Sequence, residues 1–217
     1  MEYCAVVEGL ESRRLFAGVA PDLSFGAEGA ITEPARDNHP RDAQSQTFLG
    51  LNESGILAFV YTYQAGPYVP SIQRFDLDGQ PDTSFTPIVL DGTTSSIYWN
   101  YPAAYDAQGR VLVTSNAQSG PVRITRHTAS GALDTTYGTG GTTDIPFPEP
   151  TGEVFNTAGI EAVVAAPDGS AYVSATVNTS VVGHGGLIRS RRWLTHINAD
   201  GTFDATFGGG DGFLRIG

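Results

Sequence analysis

Short runs of β-branched and aromatic residues, each entered through a glycine turn, recur along the chain. ILAFVYTY follows Gly55, RVLVTS follows Gly109, and AYVSATV follows Gly169 by one residue. Alternating apolar and polar positions, with no convincing helical pattern anywhere, predict strands over residues 56–63, 110–115 and 171–177. An apolar stretch before each glycine completes a hairpin. A polar connection then leads to a third strand, expected at 71–75, 122–127 and 192–197. A second turn follows, and a D-x-[ST]-[FY] phrase runs into a short fourth strand.

That phrase is a repeat. It reads PDLSFGAEG from residue 21, PDTSFTPIV from 81, LDTTYGTGG from 133 and FDATFGGGDG from 203, so its aromatics are Phe25, Phe85, Tyr137 and Phe207, spaced 60, 52 and 70 residues apart. The glycine-turn phrase is interleaved with it at the same period, which makes chance similarity a poor explanation. The expected architecture is all-β, with repeated four-stranded antiparallel units arranged like the blades of a β-propeller. The units fall at 48–90, 103–146 and 160–216, and residues 21–33 add one outer strand. Residues 1–20 form an N-terminal segment before this single repeat domain. Three full units are fewer than a closed propeller uses, so the reading is a partial or open ring.

At these residues the chain resembles the delta-60 repeat family, whose units pair a "pDGkilva" hairpin with an "Rln.DG.lD.sFG..G" hairpin. The resemblance covers residues 20 to 217. Unit two of the phrase departs from it with Thr86 in place of glycine, and the last unit carries an insertion, NTSVVGHGGLIRSRR, from Asn178. Separately, LESRRLFAG at 10–18 resembles the LExRxL-type motif near the N-termini of secreted planctomycete proteins. The implied location is extracellular or at the cell surface. The N-terminus lacks the basic segment and apolar run of an ordinary signal peptide.

Charge narrows the partners. Twelve Lys+Arg against 23 Asp+Glu give a formal charge of −11, and no basic stripe offsets it, so nucleic acid is not an expected partner. No stretch approaches 18 consecutive apolar residues, so no membrane span is expected. Cys4 is the single cysteine, which excludes an internal disulfide and a cysteine-based zinc cluster.

RFDLDGQPDTSF, from Arg74, has the look of an acidic metal loop. Calcium takes six or more oxygens, and the second copy of the phrase has Thr128 and Ser130 where the first has Asp76 and Asp78, while Gly131 and Asp134 are kept. The shared chemistry is that of a three-residue hairpin loop closed by a left-handed glycine. With Leu77, Asp78 and Gly79 in the loop, Asp76 faces Gln80, Phe75 faces Pro81 and Arg74 faces Asp82. The same count sets Arg126 against Asp134 and His196 against Asp204, making these six residues hairpin clamps rather than ligands. The four histidines show no HExxH or H-x-H spacing, there is no G-x-S-x-G elbow, and neither GHGG (183–186) nor GTGG (138–141) lies between a strand and a helix. No catalytic residue, metal site or cofactor is expected.

Aromatic side chains are the remaining functional lead. Tyr98, Trp99 and Tyr101 cluster in IYWNYP before a first strand, and Trp193 lies beside Arg191 and Arg192 in the insertion. Rings gathered at a loop rim can form a platform for a protein or glycan. The expected function is therefore a non-catalytic extracellular or surface β-repeat module that acts as a binding scaffold, either within a longer chain or completing a ring by self-association. The rival reading is a propeller hydrolase or lactonase with carboxylates converging on a central funnel.

Overall fold

The computed structural model describes residues 46–63, 68–90, 101–115, 122–148, 150–184 and 186–216. The N-terminal segment, the 21–33 strand, Phe25, Tyr98 and Trp99 lie outside them. Three four-stranded antiparallel sheets follow one another along the chain. The first holds β1 (Gln46–Asn52), β2 (Gly55–Tyr63), β3 (Tyr68–Phe75) and β4 (Ile88–Val89). The second holds β5 (Ala103–Tyr105), β6 (Val111–Ser115), β7 (Val122–His127) and β8 (Thr142–Ile145). The third holds β9 (Glu153–Ala165), β10 (Ala171–Val181), β11 (Ile188–Ile197) and β12 (Phe213–Ile216).

Within each sheet the strands lie in chain order, so every connection is a hairpin. First strands of successive sheets adjoin, β1 against β5 and β5 against β9. The result is a propeller-like array that is not closed into a ring. Among the described residues the only helical element is a 3-10 turn at Phe207–Gly209.

The core lies between sheets. Leu57, Phe59, Ile72, Phe85 and Ile88 of the first sheet pack against Val111 and Val113 of the second. Leu112, Ile124, Tyr137 and Ile145, on the other face of the second sheet, pack against Ile160, Val173, Ala175 and Ile197 of the third. A strand of the middle sheet is thus buried on both faces, and Val111 to Thr114 of β6 are buried without interruption. In β10 burial alternates instead, because only one face has a neighbour among the described residues.

The third sheet differs from its expected outline. It begins at Glu153 rather than 160, and the insertion after Asn178 is not a loop. It lengthens β10 and β11 into a continuous ladder from Ala171↔Ile197 to Ser180↔Ile188. The residues TVNTSV and IRSRRW alternate well enough to continue a hairpin, and Gly183 and Gly186, both at positive φ, lie in its turn.

Where sheets meet, two turn glycines are tightly enclosed. Gly131 has φ +87° and a Cβ there would stand 2.1 Å from the Thr86 carbonyl oxygen, while at Gly201, with φ +86°, it would stand 2.3 Å from the Gly138 nitrogen. Each is both a left-handed position and a point of close approach. Gly131→Ala is therefore expected to cost more than about 1 kcal/mol in urea unfolding. Gly159→Ala, with nothing within 4 Å of its would-be Cβ, is expected to stay within about 0.5 kcal/mol of the parent.

Candidate interaction site

The second hairpin of each unit builds the site. Phe75 bridges Pro81, the Asp76 N–H donates to Gln80 O (2.8 Å), and the Asp82 N–H donates to Arg74 O (2.9 Å). Leu77, Asp78 and Gly79 therefore form the loop, with Gly79 at φ 79°. The Asp76 carboxylate accepts from the Asp78 and Gln80 N–H groups at 3.0 and 2.8 Å, which employs it within the turn. The bridges His127↔Leu133 and Ile197↔Phe203 give the other two units the same register.

This register brings each cation to its aspartate. Arg74 Nε lies 2.6 Å from Asp82 Oδ2, Arg126 Nε 2.7 Å from Asp134 Oδ2, and His196 Nδ1 2.9 Å from Asp204 Oδ2. In the two arginine units the guanidinium does more. It lies over the ring of Phe85 or Tyr137, 4.7 and 4.4 Å from the centroids, a cation–π contact strengthened by exclusion of water. Its Nη1 then crosses to the next unit, from Arg74 to Ala129 O and from Arg126 to Ala199 O, both at 2.7 Å. A backbone bond runs alongside, from Thr86 N–H to Ser130 O and from Gly138 N–H to Asp200 O, both at 2.8 Å. One arginine thus ties its own hairpin, its own aromatic and the next unit's turn. The single-hairpin count found the clamp, but nothing in the spacing reveals the reach into the neighbour.

In the third unit the pattern ends on a face that carries no neighbouring sheet among the described residues. His196 replaces arginine and lies 4.7 Å from the Tyr172 ring and 6.0 Å from Phe207. Phe207 is only half-buried, unlike Phe85 and Tyr137, so full burial of the phrase aromatic does not extend to this unit. Tyr172 is 39% exposed, whereas Leu57 and Leu112, which pair with Arg74 and Arg126 as Tyr172 pairs with His196, are both 0% exposed. Cross-strand pairing places Val164, Tyr172 and His196 in one row of this face, Leu194 and Leu214 in the next, and Arg192 and Ile216 beyond. Val164, Leu214 and Ile216 are all exposed. Together with Tyr172 they put four exposed apolar side chains on one sheet face.

The aromatic platform is corrected at two positions. Tyr101 is buried and stacks on Phe59, with centroids 5.5 Å apart, so it belongs to the core between the first two sheets. Trp193 is a β11 residue directed to the packed face, edge-on to Phe213 at 6.1 Å, rather than a loop residue. Its neighbour Arg191 instead grips Glu153 with two bonds, at 2.5 and 2.7 Å, and Arg189 adds a third at 3.2 Å. Thr179 Oγ1 also donates to Glu153, tying the long hairpin close to its turn. Among the described residues no three His, Cys, Asp or Glu side chains gather as metal ligands, and no helix is long and apolar enough to cross a membrane.

With this geometry in view, a family profile described as "Domain of unknown function (DUF5122) beta-propeller" matches residues 56–85. The matched stretch runs from β2 through the clamp to Phe85, one copy of the repeated construction. No curated protein and no solved structure matches the chain.

Carboxylate chemistry gives this site an acid dependence. Asp82, Asp134 and Asp204 are held below the ordinary aspartate range, first by the hydroxyls of Ser84, Thr136 and Thr206 and then by their cations; Asp204 falls to about 2. Glu153 falls to about 2 through Arg191 and Thr179. Carboxyls depressed on folding contribute stability that is complete above their unfolded values, 3.8 and 4.5, and is lost as pH falls toward about 2. Urea midpoints are expected to drop through that window and to stay level from pH 5 to 7 as far as these groups are concerned. Arg126→Ala, which strands Asp134, is expected to cost about 3–5 kcal/mol in urea unfolding at pH 7. Burial pushes the Tyr137 phenol up to about 12. Stability is therefore present below pH 10 and lost as pH rises toward 12. Tyr137→Phe is expected to be near neutral at pH 7 and to abolish this alkaline loss.

Proposed function

We propose that the protein is a non-catalytic β-repeat module of the cell exterior or cell surface that works as an interaction scaffold. The observation that supports this reading is the joint made by Arg74 and repeated by Arg126. Both arginines and their aspartates act in holding units together, and the Asp76 carboxylate is employed within its own turn, which leaves these charged residues with structural work. The formal charge of −11 disfavours nucleic acid, which leaves a protein or glycan as the class of partner.

The test has two readouts. Fractionation of cells expressing the chain from its native gene is expected to place it outside the cytosol; recovery in the cytosol alone would overturn the exported role. Purified protein incubated with a panel of esters and lactones, with calcium or manganese added, is expected to give no turnover above buffer. Turnover that scales with protein concentration would overturn the non-catalytic role.

A further inference from the structure

We propose that the Tyr172 and His196 face of the third sheet is a proton-dependent joint for a further repeat unit, in which His196 takes the part that Arg74 and Arg126 play in the first two joints. The occupant is a unit of the same construction, presenting a hairpin turn with two adjacent backbone carbonyls before a positive-φ glycine. This concerns the joint itself and stands whether or not the scaffold reading holds.

The argument is continuity with an interface seen twice. Each joint needs a side-chain N–H donor to the first turn carbonyl, Ala129 or Ala199, and a backbone N–H to the second, Ser130 or Asp200. The third unit carries both donors in the corresponding places. Gly208 follows Phe207 as Thr86 follows Phe85 and Gly138 follows Tyr137, and outside its own 3-10 turn its N–H has no acceptor among the described residues. His196 uses Nδ1 on Asp204 and leaves Nε2 with no partner among them. Where the next unit would sit, Tyr172, Leu214 and Ile216 are exposed and Phe207 is half-buried.

Proton dependence follows from the imidazole. With Nδ1–H donating to Asp204, a neutral ring presents a lone pair at Nε2, which repels a turn carbonyl. Only the imidazolium donates from both nitrogens, as a guanidinium always does. The groups facing His196 are Asp204 on the return of its own hairpin, Tyr172 on β10, the Phe207 ring and, at longer range, Asp168 in the β9–β10 turn. The first two joints hold at any pH where arginine is charged, while the third closes in acid and opens in base.

The experiment appends a second copy of residues 101–148, through a flexible linker, to the C-terminus of the full chain. That copy carries the Thr128–Gly131 turn, which already fills a joint of this kind. Amide hydrogen exchange at Gly208, corrected for intrinsic rate, is read at pH 6 and pH 8 with and without the appended unit. The expected result is protection gained at pH 6 and lost at pH 8. In the His196→Arg fusion protection is expected at both pH values, and in His196→Ala at neither. Absence of added protection in both the parent and His196→Arg fusions would overturn the joint. Protection of the parent or His196→Ala fusion that is equal at the two pH values would overturn the role of His196.

Discussion

Arg74 and Arg126 each sit where two sheets meet, and the order of the array depends on them. A four-stranded sheet of this length exposes two faces, and β6 shows that both are apolar. Hydrophobic burial drives the sheets together but is indifferent to sliding along the strands. The guanidinium removes that freedom. It is fixed in its own unit by Asp82 or Asp134 and by an aromatic face, and one remaining donor points at a single carbonyl of the next turn. Lysine could supply the charge but not the planar fork that satisfies these partners at once. The enclosed glycines Gly131 and Gly201 are the other half of the same joint, since any side chain there would hold the turns apart.

The parts of the fold that follow from one hairpin are legible in the sequence. The three-residue loop, the eight-residue spacing of each cation and its aspartate, and the four strands per unit all rest on local turn chemistry and period-two patterning. The first two sheets run from Gln46 to Val89 and from Ala103 to Ile145. The parts set by neighbours are not legible in this way. Tyr101 sits in a loop-like IYWNYP phrase, yet burial against Phe59 comes from another sheet. Phe207 carries the same phrase position as Phe85 and Tyr137, but its environment is set by the absence of a covering sheet among the described residues. The insertion after Asn178 reads as a glycine-rich loop because of GHGG, while the alternation on either side continues the ladder and places Trp193 toward the core.

The third unit shows how one repeat can be specialised without loss of its frame. Its hairpin register, aspartate and turn glycine are those of its neighbours, while arginine has become histidine and the leucine opposite has become Tyr172. Its strands are also longer, with Glu153, Arg189, Arg191 and Thr179 tying the extension close to its turn. These changes fall on the face and the end that carry no neighbouring sheet among the described residues, where inter-unit packing places fewest demands on the side chains.

The central claim is that the guanidinium holds one specific joint, and the Arg126→Lys variant tests it most directly. Amide exchange at Gly138 reports the joint that Arg126 makes with the third unit, through its bond to Asp200, and exchange at Thr86 reports the joint that Arg74 makes, through its bond to Ser130. The account predicts faster exchange at Gly138 with little change at Thr86. Unchanged exchange at Gly138, or an equal increase at both amides, would contradict it.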